Sequence, residues 1–157
     1  PRVRRQRQMC IRDRDEAHDL IDHDVKMNIQ GYDLDGDMVK CAMENARAAG
    51  VEQHIHFQQR DVKDLRNPKK YGFIITNPPY GERLEEKEAL PELYRIIGES
   101  YRNLDDWSMF LITSYTDAEK YIGRKADRNR KIYNGMIKSY FYQFMGPKPP
   151  KRRREEA

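Results

Sequence analysis

The segment Asn77-Pro78-Pro79-Tyr80 holds the residues of this sequence most able to do chemistry. The Asn77 side-chain amide and the Pro78 carbonyl are two acceptors, and each proline fixes its own φ and keeps the preceding residue extended. An exocyclic base amine is a poor nucleophile because its lone pair is delocalised into the ring, and two fixed acceptors would draw that lone pair out of conjugation. Tyr80 offers a flat face for an unstacked base. The segment, Pro79 included, therefore predicts catalytic residues for methyl transfer to a base nitrogen; the alternative is a rigid turn after a strand.

A run of apolar residues, Gly72–Thr76, leads into this segment and predicts a strand covered on both faces of a parallel sheet. Ligands bind at the carboxyl ends of strands in open α/β sheets, which is where Asn77 falls. Further strands are predicted at Ile29–Asp33, His54–Gln58 and Met109–Thr113, and helices at Asp37–Ala49, Pro91–Asn103 (with Pro91 in its first turn) and Asp117–Ile122. Asn134-Gly135, between Lys131–Tyr133 and Met136–Met145, predicts an antiparallel hairpin.

These elements alternate between strand and helix before the hairpin closes the chain. We therefore expect an α/β fold with a doubly wound, mostly parallel sheet and a C-terminal antiparallel hairpin. Apolar residues spaced by three and four should form the buried faces of the first two helices: Met38, Val39, Ala42, Met43, Ala46 and Ala49, then Leu93, Ile96, Ile97, Tyr101 and Leu104.

Carboxylates follow two of the predicted strands. Asp33, with Asp35 close by, ends the first strand, and Asp61, followed by Val62, comes after the second. A carboxylate in this position accepts hydrogen bonds from ribose hydroxyls in nucleotide-binding α/β folds. Two alternatives stay open: Asp33, Asp35 and Asp37 could only cap the next helix, and Asp61 could be purely structural.

Composition and charge limit the class of protein. Of the 157 residues 38% are hydrophobic and 36% charged, which favours one domain with a modest core. The net charge of +4 comes from the ends, since residues 1–14 carry six Arg and one Asp, and residues 148–157 carry five basic and two acidic side chains. We expect a disordered basic arm at 1–14, a domain at 15–147 and a disordered basic tail at 148–157. The alternative is that the basic ends bind phosphates electrostatically.

Other features argue against a membrane-spanning segment and against a metal site. No apolar stretch approaches the roughly 18 residues of a membrane span. Cys10 and Cys41 form no disulfide or zinc pattern, which fits a reducing cytoplasm, so we expect no metal site. The sequence leaves the oligomeric state open.

The chain resembles the class I S-adenosylmethionine-dependent methyltransferases. More closely, it resembles the bacterial family named for N6-adenine-specific DNA methylation, whose studied relatives methylate the guanine N2 amine of large-subunit ribosomal RNA. The resemblance runs from about residue 29 to 147 and is carried by GYDLDGDMVKCAMENARAAGV, FQQRDVKDL, FIITNPPYGERL and GRKADRNRKIYNG. It implies S-adenosylmethionine as cofactor, with Asp33 and Asp35 near the ribose and Asp61 and Val62 near the adenine. Asn77, Pro78 and Tyr80 would surround the target amine, and Asn77 would also border the cofactor.

One part of the family pattern has no counterpart in this sequence. The family carries a glycine-rich loop after its first strand, whereas no two of the nine glycines here are closer than five positions. The resemblance then implies that Ile29–Asp33 is the family's second strand, that the central first strand is lacking, and that the chain is the C-terminal part of a longer enzyme.

The expected activity is N-methyl transfer to a base amine, with guanine N2 of 23S ribosomal RNA as the favoured target and RNA as the partner. Adenine N6 in DNA or RNA stays open, as does a catalytically inactive nucleic-acid-binding fragment. The basic side chains of 124–131 either face RNA phosphates or belong to a solvated loop: Arg124, Lys125, Arg128, Arg130 and Lys131.

Overall fold

A computed structural model describes residues 2–22, 24–79, 84–134 and 136–150. The helices are α1 (Arg2–Asp19), α2 (Gly36–Ala48), α3 (Leu84–Arg102) and α4 (Ala118–Ile122), with short 3₁₀ helices at Glu52–His54 and Val62–Asp64. The strands are β1 (Ile29–Asp33), β2 (Ile55–Gln59), β3 (Phe73–Thr76), β4 (Ser108–Thr113), β5 (Arg128–Asn134) and β6 (Ile137–Phe144). Every predicted strand is present within a few residues of its expected bounds.

The described strands form two sheets. β1 and β2 are parallel, with Asp33 opposite Gln59. The second sheet has the order β3-β4-β6-β5, in which β3 and β4 are parallel and β6 runs antiparallel to both of its neighbours. The α/β class and the C-terminal hairpin are thereby confirmed, although Gly135 in the predicted turn lies outside the described residues. β1 and β3 each pair on one edge only within the described chain, as expected when the strand they would share is lacking.

The core lies on one face of the four-stranded sheet, where α3 and α4 pack. Its buried members come from α3, α4, β4 and β6: Leu90, Tyr94, Ile97, Tyr101, Ala118, Ile122, Met109, Leu111, Tyr142 and Phe144. Gly98 allows the two helices to come close, because a Cβ built there would lie 2.3 Å from the Ile122 carbonyl oxygen. The contact is with backbone, so a side chain at this position forces the helices apart.

We expect Gly98→Ala to destabilise the protein by about 1–3 kcal/mol, because α4 must move away from α3 to admit the methyl group. The free energy of unfolding from urea denaturation measures this loss. Glu99→Ala is the matched control, since Glu99 is exposed on the same helix. An unchanged unfolding midpoint for Gly98→Ala would show that the helices are not held at this distance.

Two faces that the sequence predicts to be buried are wholly or partly exposed. The prediction that β3 is covered on both faces is wrong, because Phe73 and Ile75 are 66% and 83% exposed. On α2 only Ala46 is buried, while Met38 and Met43 are about half exposed. The contacts of α2 are mainly with β1 and β2, and the helices α3 and α4 cover only the other face of β3, so the described chain gives these apolar side chains nothing to pack against.

α3 differs from its predicted extent. It begins at Leu84, so Pro91 lies inside the helix rather than in its first turn. The preceding residues are almost all strong helix formers, which explains continuation through a proline that removes one hydrogen bond. The buried stripe is also shifted, and Tyr94, which the prediction omitted, is fully buried.

The N-terminal segment forms a helix where a disordered arm was expected. α1 spans Arg2–Asp19, and its side chains from Ile11 to Asp19 are exposed. Arg, Gln and Met favour helix locally, and no Gly or Pro interrupts them, so local propensity favours the helix although no residue from Ile11 to Asp19 is buried. Across the described ranges, no helix has the length and apolar character needed to cross a bilayer. The expected tail lies outside the described residues from 151 onward.

Candidate active site

The acceptor pair lies where β3 ends. Thr76 is the last residue of β3, and the next residue, Asn77, is exposed while Pro78 is buried. Neither the Asn77 amide nor the Pro78 carbonyl is hydrogen-bonded to another described residue. Asn77 is thus a side-chain amide open to solvent on a backbone that the two prolines restrict. Tyr80, the predicted stacking residue, lies outside the described residues.

A buried hydroxyl on α3 anchors this segment. Tyr94 is fully buried, and its hydroxyl donates to the Pro79 carbonyl at 3.3 Å. The same oxygen is hydrogen-bonded to the hydroxyl of Thr113, the last residue of β4. Thr113 in turn accepts from the Tyr115 backbone N–H at 3.0 Å. Pro79 is therefore tied to both the covering helix and the neighbouring strand.

Sequence reasoning missed Tyr94, although a signal was present. The spacing Leu90, Tyr94, Ile97, Tyr101 alternates between four and three residues, which is the pattern of a buried helix stripe. A tyrosine within such a stripe needs a partner for its hydroxyl. The identity of that partner could not be read from the sequence, because Pro79 is 15 residues away.

Tyr94→Phe should destabilise the fold by about 1–3 kcal/mol, because it leaves the buried Thr113 hydroxyl and the Pro79 carbonyl without their hydrogen bonds to the phenol while keeping the ring. Thr113→Val removes the other hydroxyl. In a double-mutant cycle, we expect the two losses to be coupled by more than about 0.5 kcal/mol in urea unfolding. Strictly additive losses would show that the two hydroxyls do not interact.

The first carboxylate group lies at the end of β1. Asp33 accepts from the Asp35 backbone N–H at 2.9 Å, and Asp35 accepts from the Asp37 N–H at 2.8 Å as the N-cap of α2. The capping interpretation is thus correct for Asp35. Asp33 is exposed, and its second carboxylate oxygen is hydrogen-bonded to no described residue, so it can accept from a ligand.

Asp61 is the N-cap of the 3₁₀ helix Val62–Asp64, which follows β2. It accepts from the Lys63 backbone N–H at 3.0 Å and pairs with the Lys63 ammonium at 3.1 Å. These contacts, the backbone hydrogen bond first, lower the pKa of Asp61 below its ordinary value. Val62 is half buried, and its carbonyl accepts from the buried Ser100 hydroxyl of α3 at 2.8 Å. The Val62 N–H, at the start of the helical turn, donates to no described acceptor.

The structure places the carboxylates of Asp33 and Asp61 at the same end of one sheet, but it does not place the Asn77 amide in contact with them. Arg60, which directly precedes Asp61, donates its backbone N–H to the Asp33 carbonyl at 2.8 Å, so Asp33 and Asp61 lie at the same edge of the β1–β2 sheet. Asn77 lies at the end of β3 in the other sheet, and no hydrogen bond or ion pair of the described residues joins it to either carboxylate. α3 links the two groups, because Tyr94 holds Pro79 and Ser100 holds Val62.

An NMR titration of the Asp61 carboxyl should show a pKa below the ordinary value of about 3.9. Because the folded-state pKa is lowered, this group stabilises the fold above about pH 4 and loses that effect as the pH falls. Lys63→Ala removes the ammonium but keeps the backbone N–H. The pKa should therefore rise in this variant and still stay below the ordinary value; a full return would show that the ammonium is the main cause.

The fold and these residues define a methyltransferase domain. The sequence matches the model of the UPF0020 family, RMKL-like, methyltransferase domain, over residues 1–143, and the chain belongs to this family. It is 40% identical over 141 residues to YpsC of Bacillus subtilis (strain 168), which carries the name of an RNA methyltransferase. This match covers 90% of the chain and 37% of the relative.

Two further similarities agree with this assignment. Ribosomal RNA large subunit methyltransferase K/L of Syntrophotalea carbinolica is 36% identical over 119 residues, covering 73% of this chain and 17% of that protein. The crystal structure of SMU.472 complexed with SAH superposes with a TM-score of 0.81 at 43% identity, covering 89% of this chain and 37% of the other. The chain thus spans well under half the length of these relatives, and the methyltransferase fold expected from the sequence is confirmed.

Proposed function

We propose that this domain transfers a methyl group from S-adenosylmethionine to an exocyclic amine of an RNA base, with guanine N2 of 23S ribosomal RNA as the favoured target. The observation that carries the proposal is the exposed amide of Asn77, which is hydrogen-bonded to no described residue, beside the restrained Pro78 and Pro79. The names of the relatives support RNA as the substrate, and the SAH bound to SMU.472 supports the methyl donor. A ribosomal substrate would place the protein in the cytoplasm.

The described residues fit the nucleoside end of this cofactor. The Asp33 carboxylate oxygen that is hydrogen-bonded to no described residue can accept from ribose hydroxyls. The Asp61 carboxylate and the Val62 N–H present an acceptor next to a donor, which complements the amine and adjacent ring nitrogen of adenine. Ser100 fixes the Val62 backbone, so this pair is held in place before a ligand arrives. When bound, the cofactor supplies an electrophilic methyl group on a sulfonium.

The chain's own residues would prepare the amine for attack. The Asn77 amide oxygen and the Pro78 carbonyl would each accept one N–H, turning the nitrogen lone pair out of conjugation with the ring. Tyr94 keeps these acceptors in place through Pro79, so little reorganisation accompanies the reaction. Tyr80 would stack on the base. No strong base is required, since the nitrogen loses a proton readily once it is methylated.

Adenine N6 is the rival target, because two acceptors can hold either amine. Mass spectrometry of nucleosides after reaction with mixed RNA and DNA decides between them. We expect N2-methylguanosine from RNA, whereas N6-methyladenine would contradict the favoured target and leave the amine chemistry standing. The absence of any methylated nucleoside, with RNA binding retained, would favour the non-catalytic fragment.

Asn77→Ala should lower methyl transfer by at least about a hundredfold, because it removes one preorganised acceptor of the amine. SAH affinity, measured by calorimetry, should change less than about threefold, since the nucleoside contacts lie on the β1–β2 sheet. Asn77→Asp, which keeps one acceptor oxygen at the same place, should retain more activity than the alanine variant.

Asn67→Ala is a matched control, because Asn67 lies in the loop before β3, at the strand end away from Asn77. It should leave both SAH affinity and methyl transfer close to those of the unmodified protein. Equal loss of SAH binding and methyl transfer in Asn77→Ala would contradict the separation between amine and cofactor contacts.

A further inference from the structure

Lysines and tyrosines alternate across one face of the β5–β6 hairpin. Lys131 lies opposite Tyr140, and Tyr133 lies opposite Lys138, in the antiparallel register of the two strands. We name these four residues the hairpin face. The Lys138 ammonium lies 5.2 Å from the centre of the Tyr140 ring. Tyr133 is 65% exposed, so its ring is open to a flat ligand.

The hairpin face carries uncompensated positive charge. Residues 124–140 hold six basic side chains and a single acidic one, Asp127. That carboxylate is paired with Arg124 at 3.0 Å and also accepts from the Met145 N–H. No ion pair of the described residues neutralises Lys131 or Lys138. A side-chain hydrogen bond from Lys138, followed by the positive charges of Lys138 and Lys131, lowers the pKa of the Tyr140 hydroxyl.

The strand register places this face at the same end of the sheet as the candidate site. Thr76 of β3 lies opposite Leu111, and Tyr140 lies opposite Thr113, so Tyr140 is level with the chain two residues beyond Thr76. Tyr133 and Lys138 lie two residues further out, about 7 Å past that level. In the sheet, β6 is two strands and β5 is three strands away from β3, which is about 10 Å and about 14 Å. The hairpin face therefore lies at the same end of the sheet as Asn77, where β3 and β4 have their carboxyl ends, and is separated from it across β4.

We propose that the hairpin face holds a single-stranded RNA segment next to the target base, with the lysines on phosphates and Tyr133 stacked on an unpaired base. This inference rests on the proposed function, because it assigns the surface that presents the substrate to Asn77. An exposed ring favours single strands, since bases in a duplex offer no free face for stacking. The lysines suit a phosphate chain that passes both tyrosines.

Fluorescence anisotropy with a labelled 12-nucleotide single-stranded RNA, without methyl donor, tests the surface. The double variant Lys131→Ala/Lys138→Ala should weaken RNA binding about tenfold. It should also make the dependence of log affinity on log salt shallower by about 1.4, because two phosphate contacts are lost. Lys69→Ala/Lys70→Ala removes the same charge from the loop before β3, at the opposite end of the strand, and should leave affinity within about twofold. Equal losses in both double variants would overturn the proposal.

Substitutions of Tyr133 separate the contribution of stacking to RNA binding from the contribution of charge. Tyr133→Ala should weaken binding at least about fivefold without changing the salt slope, whereas Tyr133→Phe should bind like the unmodified chain. Unchanged affinity in Tyr133→Ala would overturn the stacking assignment. Tighter binding of an RNA duplex, anionic vesicles or polyglutamate than of the single strand would point to another partner and overturn the proposal.

These outcomes are distinguishable from failure of the proposed function. Binding is measured without cofactor, so the hairpin face can fail while Asn77-dependent methylation stands. Retained RNA binding with no methyl transfer would instead refute the activity alone. Circular dichroism of each variant checks that the exposed substitutions leave the fold intact.

Discussion

The contact between the Tyr94 hydroxyl and the Pro79 carbonyl is the interaction on which the candidate site depends. It joins a loop at the sheet edge to a fully buried side chain, and Thr113 secures the same hydroxyl from the neighbouring strand. A polar group in a core is stable only when it is satisfied, so the phenol and the loop hold each other in place. Asn77 is thereby presented to solvent on a backbone that cannot easily rearrange.

α3 contacts both halves of the candidate site, the loop that carries Asn77 and the turn that carries Asp61 and Val62. Tyr94 and Ser100 are six residues apart on this helix, about 9 Å along its axis. One holds the loop of the acceptor amide and the other holds Val62 beside Asp61. The methyl donor and the methyl acceptor would therefore be positioned from a single rigid element, although their residues come from different sheets. Close packing of α4 against Gly98 fixes that helix in turn.

Local patterns predicted most of the fold, and long-range contacts account for what they missed. Short apolar runs and, for β2, alternation located β1 to β4 within a residue or so, and Asn134-Gly135 predicted the hairpin because its turn chemistry is local. The exposure of Ile75 and Met43 could not be foreseen, since apolar patterns report what a face is suited to bury and not what covers it. The role of Asn77 stays a prediction from its motif, whereas the Tyr94 anchor became visible only in the folded chain.

The most direct test of this account is a crystal structure of the domain with SAH and an oligonucleotide carrying the target base. We predict that the Asn77 amide oxygen and the Pro78 carbonyl oxygen both lie within about 3.2 Å of the exocyclic amine nitrogen. The Tyr94 hydroxyl should still contact the Pro79 carbonyl in that complex. An amine bound away from Asn77, or held by other groups, would contradict the central claim.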